Sequence, residues 1–412
     1  MKRRAWHGVR RTEQPRVDAP QWYPRAVLAA LVIAFNLAQA DTQNPVEAPP
    51  AAVAPAAVVR EGTEVVIDGP SGKLGGTLLM PIMPIMPKGA PTAGKPPAVV
   101  FITGSGPQDR DETIFGHRLF EPIALALAAD GIASLRCDDR GVGASTGDLA
   151  GATTHDFAAD TRAQIAWLRK SGQVDPARIG VLGHSEGGLI GTLLAGDEPP
   201  ACAFAVLLAP PAVTGREILA QQSKDILLSM QADVACVAFA TEMHGLMMDA
   251  AIEGKPEAEL REAVAACVSA QLACNKSFSA TEAMIATATD QGVQQMRSPW
   301  MRVFLGLDPR PHIARLGVPT LALFGERDLQ VSPQQNLDPF KSAAARAPVP
   351  PVIEVVPGVN HLFQRCTRCT LDEYARIKSG VDPDVVKRIS KWVATSAGVA
   401  PAQPAAEPAS SR

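Results

Sequence analysis

Short apolar runs alternate with longer stretches of helical spacing over residues 98–209. Alternation of this kind predicts βαβ units, and therefore a mostly parallel sheet with helices on its faces. The predicted strands are 98–103, 132–137, 178–183 and 202–209, and the predicted helices between them are 120–130, 156–172 and 186–196. Two earlier runs, 63–68 and 73–80, predict an antiparallel pair that leads into this sheet.

The pattern changes over residues 212–310, where strand signals are few and Ala, Gln and Met are frequent. A segment of this length is too long for a structureless loop in a compact domain. We therefore predict a helical cap at 212–310, inserted between a first part of an α/β core at 61–211 and a second part at 311–397. The second part comprises strands at 318–325 and 352–358 and helices near 334–345 and 382–396.

Residues 1–40 have the layout of a secretory signal peptide. A basic start is followed by an uncharged run, 26–40, that ends in the small residues Ala38 and Ala40. Cleavage after Ala40 predicts a periplasmic or extracellular protein. An uncleaved N-terminal anchor is the alternative, although fifteen uncharged residues are fewer than the about 20 that cross a bilayer.

Proline and alanine dominate the segments on either side of the predicted core. Residues 41–60 predict an extended tether, and residues 398–412 predict a disordered tail. A Pro-Ile-Met repeat within 80–97 restricts that stretch to a loop or an edge segment, because proline cannot donate a hydrogen bond to a neighbouring strand.

The charge balance argues against nucleic acid and anionic membrane surfaces as partners. The whole chain has a formal net charge of -3. Residues 1–40 carry seven Lys or Arg and two Asp or Glu, so their removal moves the formal charge from -3 to -8. After signal cleavage, an acidic chain of this kind is expected neither to bind nucleic acid nor to insert stably in a membrane.

The chain contains seven cysteines. An oxidising compartment permits disulfides, and an odd count leaves at least one thiol unpaired. Cys366 and Cys369 predict either a local disulfide or two unpaired thiols. Cys267 and Cys274 are seven residues apart, which on a helix is about 10 Å and too far for a bridge between them.

Residues 183–187 read Gly-His-Ser-Glu-Gly. They fit the G-x-S-x-G nucleophile elbow, in which a serine on a sharp strand-to-helix turn exposes its hydroxyl group. The setting agrees, since a predicted strand ends at residue 183 and a predicted helix begins at residue 186. A serine in a plain glycine-rich turn is the alternative. We predict that Ser185 is a catalytic nucleophile.

A serine hydroxyl group requires a base that takes its proton and a carboxylate that orients the base. His361 follows the last predicted strand. The other six histidines lie before the serine, beside it, or in or next to the inserted block. We therefore predict His361 as the base. Asp328 follows the preceding strand and is the predicted acid, with Asp308 and Asp338 as weaker candidates.

Acyl transfer also requires hydrogen-bond donors aimed at the oxygen that becomes negative. The backbone N–H of Glu186, the residue after the nucleophile, is the first predicted donor of this oxyanion hole. The second is predicted to come from the loop after the strand 98–103. There the N–H of Ser105 is preferred, and the N–H of Gly104 or Gly106 is the alternative.

Five segments in one order resemble the α/β-hydrolase superfamily, in its bacterial carboxylesterase and serine-aminopeptidase-like branch. They are GSGPQDRDET, DDRGVGAST, GHSEGG, GERDLQV and NHLFQ. The resemblance extends from about residue 60 to residue 397. It implies an α/β-hydrolase fold and a carboxylesterase-like serine hydrolase with Ser185, Asp328 and His361 as its triad. The tether, the Pro-Ile-Met stretch and the cysteine pair after His361 are not parts of that pattern, and the substrate stays open.

Arg140 follows the predicted strand 132–137. A structural role is predicted, in which it bonds backbone carbonyl groups or pairs with Asp109 or Asp111. Direct contact with substrate is the alternative. The methionines of the inserted block are interpreted as helix packing, with an apolar acyl pocket as the alternative. These methionines are Met243, Met247 and Met248.

The sequence favours a secreted serine hydrolase that cleaves small carboxylic esters through an acyl-enzyme intermediate. No cofactor or metal is expected, because no G-x-G-x-x-G, P-loop, H-E-x-x-H or S-x-x-K motif is present. An aminopeptidase or amidase with the same triad is the alternative. It would need a carboxylate to hold a free amino terminus, for which the candidates are Glu217, Asp225, Asp233 and Glu242.

A non-catalytic binding protein on a hydrolase fold is a third possibility. It is less favoured, because such proteins commonly lack a triad member and this chain retains all three. The expected partner is accordingly a small-molecule ester or amide substrate, and the sequence leaves the oligomeric state open.

Overall fold

The structure is a computed structural model that describes residues 62–81, 94–275 and 279–399. The predicted signal peptide, the tether and all but the first two residues of the predicted tail lie outside these ranges. Most of the Pro-Ile-Met stretch lies outside them as well. Over the described ranges, no helix is long and apolar enough to cross a membrane.

The strands of the core form one sheet in which most neighbours run parallel. The strands are β1 Thr63–Gly69, β2 Gly72–Leu79, β3 Ala98–Ile102, β4 Thr113–Ile114, β5 His117–Arg118, β6 Ala133–Cys137, β7 Ile179–His184, β8 Ala205–Leu208, β9 Thr320–Gly325 and β10 Val352–Val356. Over the described residues, eight of them lie in the order β1-β2-β6-β3-β7-β8-β9-β10, and β4 pairs with β5 separately. The β1–β2 and β2–β6 pairs are antiparallel and the other pairs of this sheet are parallel. The predicted sheet with its leading antiparallel pair is confirmed.

Helices cover both faces of this sheet. They are α1 Phe120–Ala129, α2 Thr154–Ser171, α3 Glu186–Ala195, α4 Gly215–Ser229, α5 Val234–Ile252, α6 Glu257–Ala273, α7 Glu282–Met296, α8 Pro299–Gly306, α9 Arg310–Ile313, α10 Pro333–Ala344, α11 Leu371–Tyr374 and α12 Pro383–Ser396. The α2, α3 and α10 helices pack on one face, and α1 and α12 pack on the other. The fold is therefore an α/β sandwich of three layers.

The strand β3 shows how the sequence builds both hydrophobic layers. All its residues are buried. Val100 and Ile102 pack towards α2, whereas Val99 and Phe101 pack towards α1, because successive side chains of a strand point to opposite faces. A strand covered on both faces has a continuous apolar sequence, which is why the pattern of residues alone located it.

The helices α4 to α8 form a block between β8 and β9. This block, the cap, has a hydrophobic core of its own, in which Met247 and Met248 are buried and against which Met243 packs. Two of its helices begin at acidic or hydroxyl side chains that cap them: Thr214 accepts a hydrogen bond at the start of α4 and Asp233 at the start of α5, as N-cap residues do. The inserted block is therefore helical, and its methionines are packing residues.

Two disulfides tie local segments together. Cys366 bonds to Cys369, which is one of the two alternatives predicted for this pair. Cys236 at the start of α5 bonds to Cys274 after α6, a bridge within the cap that the sequence did not predict. The remaining cysteines are free and buried; they are Cys137, Cys202 and Cys267.

His244 in α5 is expected to make the protein less stable in mild acid. Burial and the nearby Arg216 lower the pKa of His244 from 6.5 to about 4. The unfolded chain therefore takes up a proton near pH 6.5, whereas the folded chain does not until about pH 4. The free energy of unfolding should fall by about 3 kcal/mol as the pH drops through this window, and this group should cost nothing further below it.

Urea unfolding at neutral pH and at about pH 5 measures this effect. A His244→Phe variant should show a smaller loss of stability between the two conditions. The matched control is His155→Phe, because His155 is exposed in α2 and its replacement should leave the pH dependence unchanged. Equal pH dependence in both variants and the wild type would contradict the prediction.

Candidate active site

Ser185 occupies a strained turn between β7 and α3. Its backbone has φ 55° and ψ -116°, a conformation that residues other than glycine rarely adopt. A Cβ atom on Gly183 would lie 1.9 Å from the carbonyl oxygen of Gly187, and a Cβ atom on Gly187 would lie 2.1 Å from the carbonyl oxygen of Ile102. Only glycine fits at these two positions, so the sequence motif forms a strand-turn-helix elbow.

A Gly183→Ala substitution is expected to lower the free energy of unfolding by about 3 kcal/mol or more, because the added methyl group overlaps backbone atoms that cannot move away. The matched control is Gly245→Ala in α5, where the nearest atom to a new Cβ is Arg216 Nη2 at 3.5 Å. That change should raise stability by about 0.5 to 1 kcal/mol. Chemical denaturation measures both, and a Gly183→Ala protein as stable as the wild type would refute the packing argument.

The residues predicted as base and acid are joined by a hydrogen bond. Nδ1 of His361 lies 2.7 Å from Oδ2 of Asp328. Asp328 follows β9 and His361 follows β10, and both are buried. The other oxygen of Asp328 accepts hydrogen bonds from the backbone N–H groups of Gln330 and Val331. The carboxylate is therefore held from both sides.

Asp328 is ionised in this arrangement. Burial by itself would raise the pKa of Asp328, but the charge of the His361 ring, its hydrogen bond and the two backbone donors hold that pKa below its ordinary value. An ionised acid at Nδ1 leaves Nε2 of His361 as the basic nitrogen. The weaker candidates for the acid lie elsewhere, since Asp308 pairs with Arg310 and Asp338 is exposed in α10.

Ser185 and His361 line the same cavity. Among the described residues, no hydrogen bond joins the Ser185 hydroxyl group to the His361 ring, a contact that is often long in the absence of substrate. The structure therefore brings the predicted nucleophile and base to one cavity, with the predicted acid behind the base. Their roles in catalysis stay predictions.

The ring of His184 is hydrogen-bonded to two loops and not to Ser185. Its Nδ1 lies 2.7 Å from Oε1 of Glu112, and its Nε2 donates to the carbonyl oxygen of His361 over 2.9 Å. Burial lowers the pKa of His184, but the charge of Glu112 and the hydrogen bonds raise it further, so that its pKa lies above the ordinary value. The hydrogen bonds of His184 therefore link the loop that carries Glu112 to the loop that carries His361.

The carboxyl group of Glu112 restricts which backbone N–H groups can serve as oxyanion donors. Oε1 of Glu112 also accepts the backbone N–H of Gly104 over 3.0 Å, so Gly104 is not available as a donor to a ligand. The N–H groups of Ser105 and Gly106 donate no hydrogen bond within the described part of the chain. Ser105 therefore stays the predicted donor beside Glu186, with Gly106 as the alternative.

The cavity lies between the core and the cap. Its volume is about 90 Å³, which is smaller than a typical small-molecule site. Its apolar walls include Pro211, Ile218, Leu219, Phe304, Val331 and Leu362. Met243, Met247 and Met248 are not among the lining residues, so the acyl-pocket alternative for them is wrong.

The charged groups of the cavity are mostly engaged by the protein, although Oε2 of Glu112 is buried without a hydrogen-bond partner in the described part of the chain. Within the described residues, no Lys or Arg lines it. Glu112 is engaged by His184, and Glu186 accepts hydrogen bonds from Thr154 and Trp300. No group of three or more His, Cys, Asp or Glu side chains in the described ranges could hold a metal ion.

The acidic residues considered for binding an amino terminus do not line this cavity. Glu217 belongs to the capping box of α4, and Asp233 caps α5. Asp225 accepts a hydrogen bond from Gln221, and Glu242 is exposed. The cap therefore presents none of these carboxylates to the space above Ser185.

Arg140 has a structural role, but with partners other than the acids predicted for it. Its Nε donates to Asp160 over 2.7 Å and its Nη2 donates to the carbonyl oxygen of Asp156 over 2.9 Å. The predicted pairing with Asp109 or Asp111 is wrong, because Asp111 is held by arginines of other segments. The predicted bond to a backbone carbonyl group is present.

The mostly parallel sheet, the serine elbow after β7, the acid after β9 and the histidine after β10 define the α/β-hydrolase class. Residues 117–363 match the model of the family described as serine aminopeptidase, S33. Because this match spans more than half of the chain, the protein belongs to that family. The predicted superfamily and branch are confirmed.

Known relatives with this fold include esterases. The esterase EstD of Thermotoga maritima is 26% identical over 341 residues, which cover 81% of this chain and 67% of EstD. An uncharacterised protein of Mycobacterium tuberculosis is 36% identical over 96 residues, covering 23% of this chain and 32% of that protein. The Pyrococcus furiosus esterase Pf2001 matches 82% of this chain and 92% of its own at 14% identity and a TM-score of 0.48. Membership of the family and the similarity to EstD identify the chain as a hydrolase that resembles carboxylesterases.

Proposed function

We propose that this protein is an exported serine hydrolase that cleaves small carboxylic esters through an acyl-enzyme intermediate. The observation that carries the proposal is the shared cavity: the elbow serine Ser185 and the Asp328-bonded His361 face the same apolar space. Similarity to the esterase EstD supports the same chemistry.

In the first half-reaction, Nε2 of His361 removes the proton of the Ser185 hydroxyl group as Oγ attacks the ester carbonyl carbon. The carbonyl oxygen becomes an oxyanion and accepts hydrogen bonds from the N–H groups of Glu186 and Ser105. Asp328 stabilises the imidazolium that forms. The intermediate then expels the alcohol, which takes the proton from His361, and leaves the acyl group on Ser185.

In the second half-reaction, water replaces the alcohol. His361 takes a proton from the water as its oxygen attacks the acyl carbon, and the same two N–H groups bind the second oxyanion. Collapse returns the proton to Oγ of Ser185 and releases the carboxylic acid. The net reaction consumes one ester and one water and needs no other reactant.

The lining favours an uncharged ester over a peptide. A peptidase that removes an amino-terminal residue needs a carboxylate to bind the substrate ammonium group. The cap carboxylates considered for this role do not line the cavity. Of the two carboxyl groups that do, Glu186 accepts hydrogen bonds from Thr154 and Trp300, and Oε1 of Glu112 is engaged by His184 and Gly104. Oε2 of Glu112 is buried without a hydrogen-bond partner among the described residues. An aminopeptidase or amidase stays the second candidate, because the family is named for that activity.

Two assays separate the candidates. Hydrolysis of p-nitrophenyl butyrate should exceed hydrolysis of an aminoacyl p-nitroanilide, and the reverse order would favour the peptidase. A fluorophosphonate probe should label the wild-type protein covalently, because it reacts with activated serines. Absence of labelling together with absence of both activities would favour a non-catalytic binding protein.

Export from the cytoplasm is part of the proposal and rests on residues 1–40. The two disulfides suit an oxidising compartment, which supports it. Amino-terminal sequencing of the mature protein from its native host should begin at Asp41. A mature chain in the cytoplasmic fraction that still begins at Met1 would refute export.

A further inference from the structure

The carboxyl group of Glu186 connects three parts of the molecule. Its Oε1 accepts the hydroxyl hydrogen of Thr154 in α2 over 2.6 Å and the indole N–H of Trp300 in the cap over 2.8 Å. Glu186 is only 2% exposed. A buried acceptor with two donors is a costly arrangement to disturb, because any donor left without it is unsatisfied.

Glu186 also lies next to the loop after β3, because Glu186 and Ser105 line the same cavity. Burial raises the pKa of the Glu186 carboxyl group, and the hydrogen bonds from Thr154 and Trp300 oppose part of that rise. The backbone N–H of Glu186 is itself one of the two groups that are proposed to bind the oxyanion. The side chain of this donor residue is therefore bonded to the cap.

Trp300 ties this group to the body of the cap. Its ring stacks on Phe304 of the same helix, α8, with 4.7 Å between the ring centroids and 15° between the planes. Phe304 lines the catalytic cavity. Trp300 itself faces an outer groove that also borders Gly106 and Pro107 of the loop after β3. The indole thus lies at the junction of the cap, the oxyanion loop and the nucleophile elbow.

We propose that Glu186 is a positioning residue whose side chain, through Trp300, ties the cap to the residue that supplies one of the two oxyanion donors. The inference rests on the proposed ester hydrolysis. Oxyanion donors act only within about 3 Å of the developing charge, and a misplacement of about 1 Å can cost about 100-fold in rate. A carboxyl group that fixes this donor residue to the cap and to α2 makes the correct placement of the cap a condition for fast catalysis.

Four variants test the proposal with p-nitrophenyl butyrate. Trp300→Phe removes the indole N–H but keeps an aromatic ring on Phe304, and it should lower kcat by about 10-fold with KM within about threefold of the wild type. Glu186→Leu removes the acceptor and should lower kcat by about 100-fold, whereas Glu186→Gln retains one acceptor oxygen and should lower it less. Trp392→Phe, at a tryptophan packed on Phe204 in the core, is the matched control and should stay within about twofold.

The rate of covalent labelling by a fluorophosphonate gives a second readout, since the probe's tetrahedral adduct also uses the oxyanion hole. It should fall in the same order as kcat. A merely structural role would instead lower the melting temperature of the variants and leave kcat of the folded fraction unchanged. A direct substrate contact would raise KM with kcat unchanged. Either result would overturn the proposal.

If Glu186→Leu does not fold, Trp300→Phe decides by comparison with Trp392→Phe, and equal kcat values in those two variants overturn the inference. If the wild type hydrolyses the ester and the variants have the same kcat as the wild type, only this inference is refuted. A wild type that neither hydrolyses the ester nor reacts with the probe removes the proposed function itself.

Discussion

Ser185→Ala should lower kcat for ester hydrolysis by about 10⁶-fold, as the loss of a triad serine does in other serine hydrolases. Oγ of Ser185 is the atom proposed to carry the acyl group. Without it, water would have to attack the ester directly, with no covalent intermediate and no nucleophile held in line with the ester carbonyl carbon. The fold should be retained, because alanine is smaller than serine and the elbow's close contacts involve Gly183 and Gly187. Single-turnover assays and mass spectrometry of the acyl adduct measure the effect.

The matched control for this substitution is Ser171→Ala. Ser171 ends α2, and its hydroxyl group donates to the carbonyl oxygen of Leu168, so its loss should leave kcat within about twofold. Retention of more than about 1% of wild-type activity in Ser185→Ala, with no adduct on the wild type, would place the reaction elsewhere.

Asp328→Asn should lower kcat by about 10⁴-fold near neutral pH. The substitution preserves shape but replaces an acceptor by an amide that can turn its NH₂ group towards Nδ1 of His361. The ring would then carry its proton on Nε2 and could not accept one from Ser185. The loss should be far smaller at alkaline pH, where hydroxide can take the place of the histidine base. A pH–rate profile of kcat from about pH 6 to pH 10 measures both effects.

Asp338→Asn is the matched control for the acid, because Asp338 is exposed in α10. Its activity should stay within about twofold of the wild type. The assignment of the acid is refuted if Asp328→Asn retains at least a tenth of the activity while Asp308→Asn or Asp338→Asn loses it.

The sequence predicted the core well because buried strands leave a strong local signal. The run 98–103 corresponds to β3 at Ala98–Ile102, and the run 318–325 contains β9 at Thr320–Gly325. Each strand of this kind is covered on both faces, so its apolar residues are consecutive. The helical character of the inserted block was recognisable from its length and from the absence of strand signals.

The meeting of His361 with Asp328 was predictable for a different reason. Chain order and the position of each residue just after a strand of a parallel sheet place them at the same sheet edge. Nothing in the local sequence, however, indicates which residue will bond to the side chain of His184. Glu112 and His184 are 72 residues apart in sequence. The hydrogen bond between Oε1 of Glu112 and Nδ1 of His184 depends on how two loops pack against each other.

The same limit applies to the cap. Trp300 and Glu186 are 114 residues apart, and nothing in the sequence around Trp300 indicates that it pairs with Glu186. Cys236 and Cys274 also pair across a helix hairpin, and composition alone could not choose among the possible pairings of seven cysteines. An acidic residue directly after the nucleophile was the one available signal, because a carboxyl group at that position is buried and must find donors.

The cap is a single excursion of the chain that departs after β8 and returns at β9, and these two strands are adjacent in the sheet, with Leu208 opposite Leu323. The two ends of the cap are therefore attached to adjacent strands of the central sheet. Natural variation or recombination can exchange the whole excursion, and with it the cap residues that line the cavity, without disturbing the strands that carry the acid and the base, provided that the new segment again donates a hydrogen bond to Glu186. New substrate preferences can arise in this protein by swapping one contiguous piece of gene.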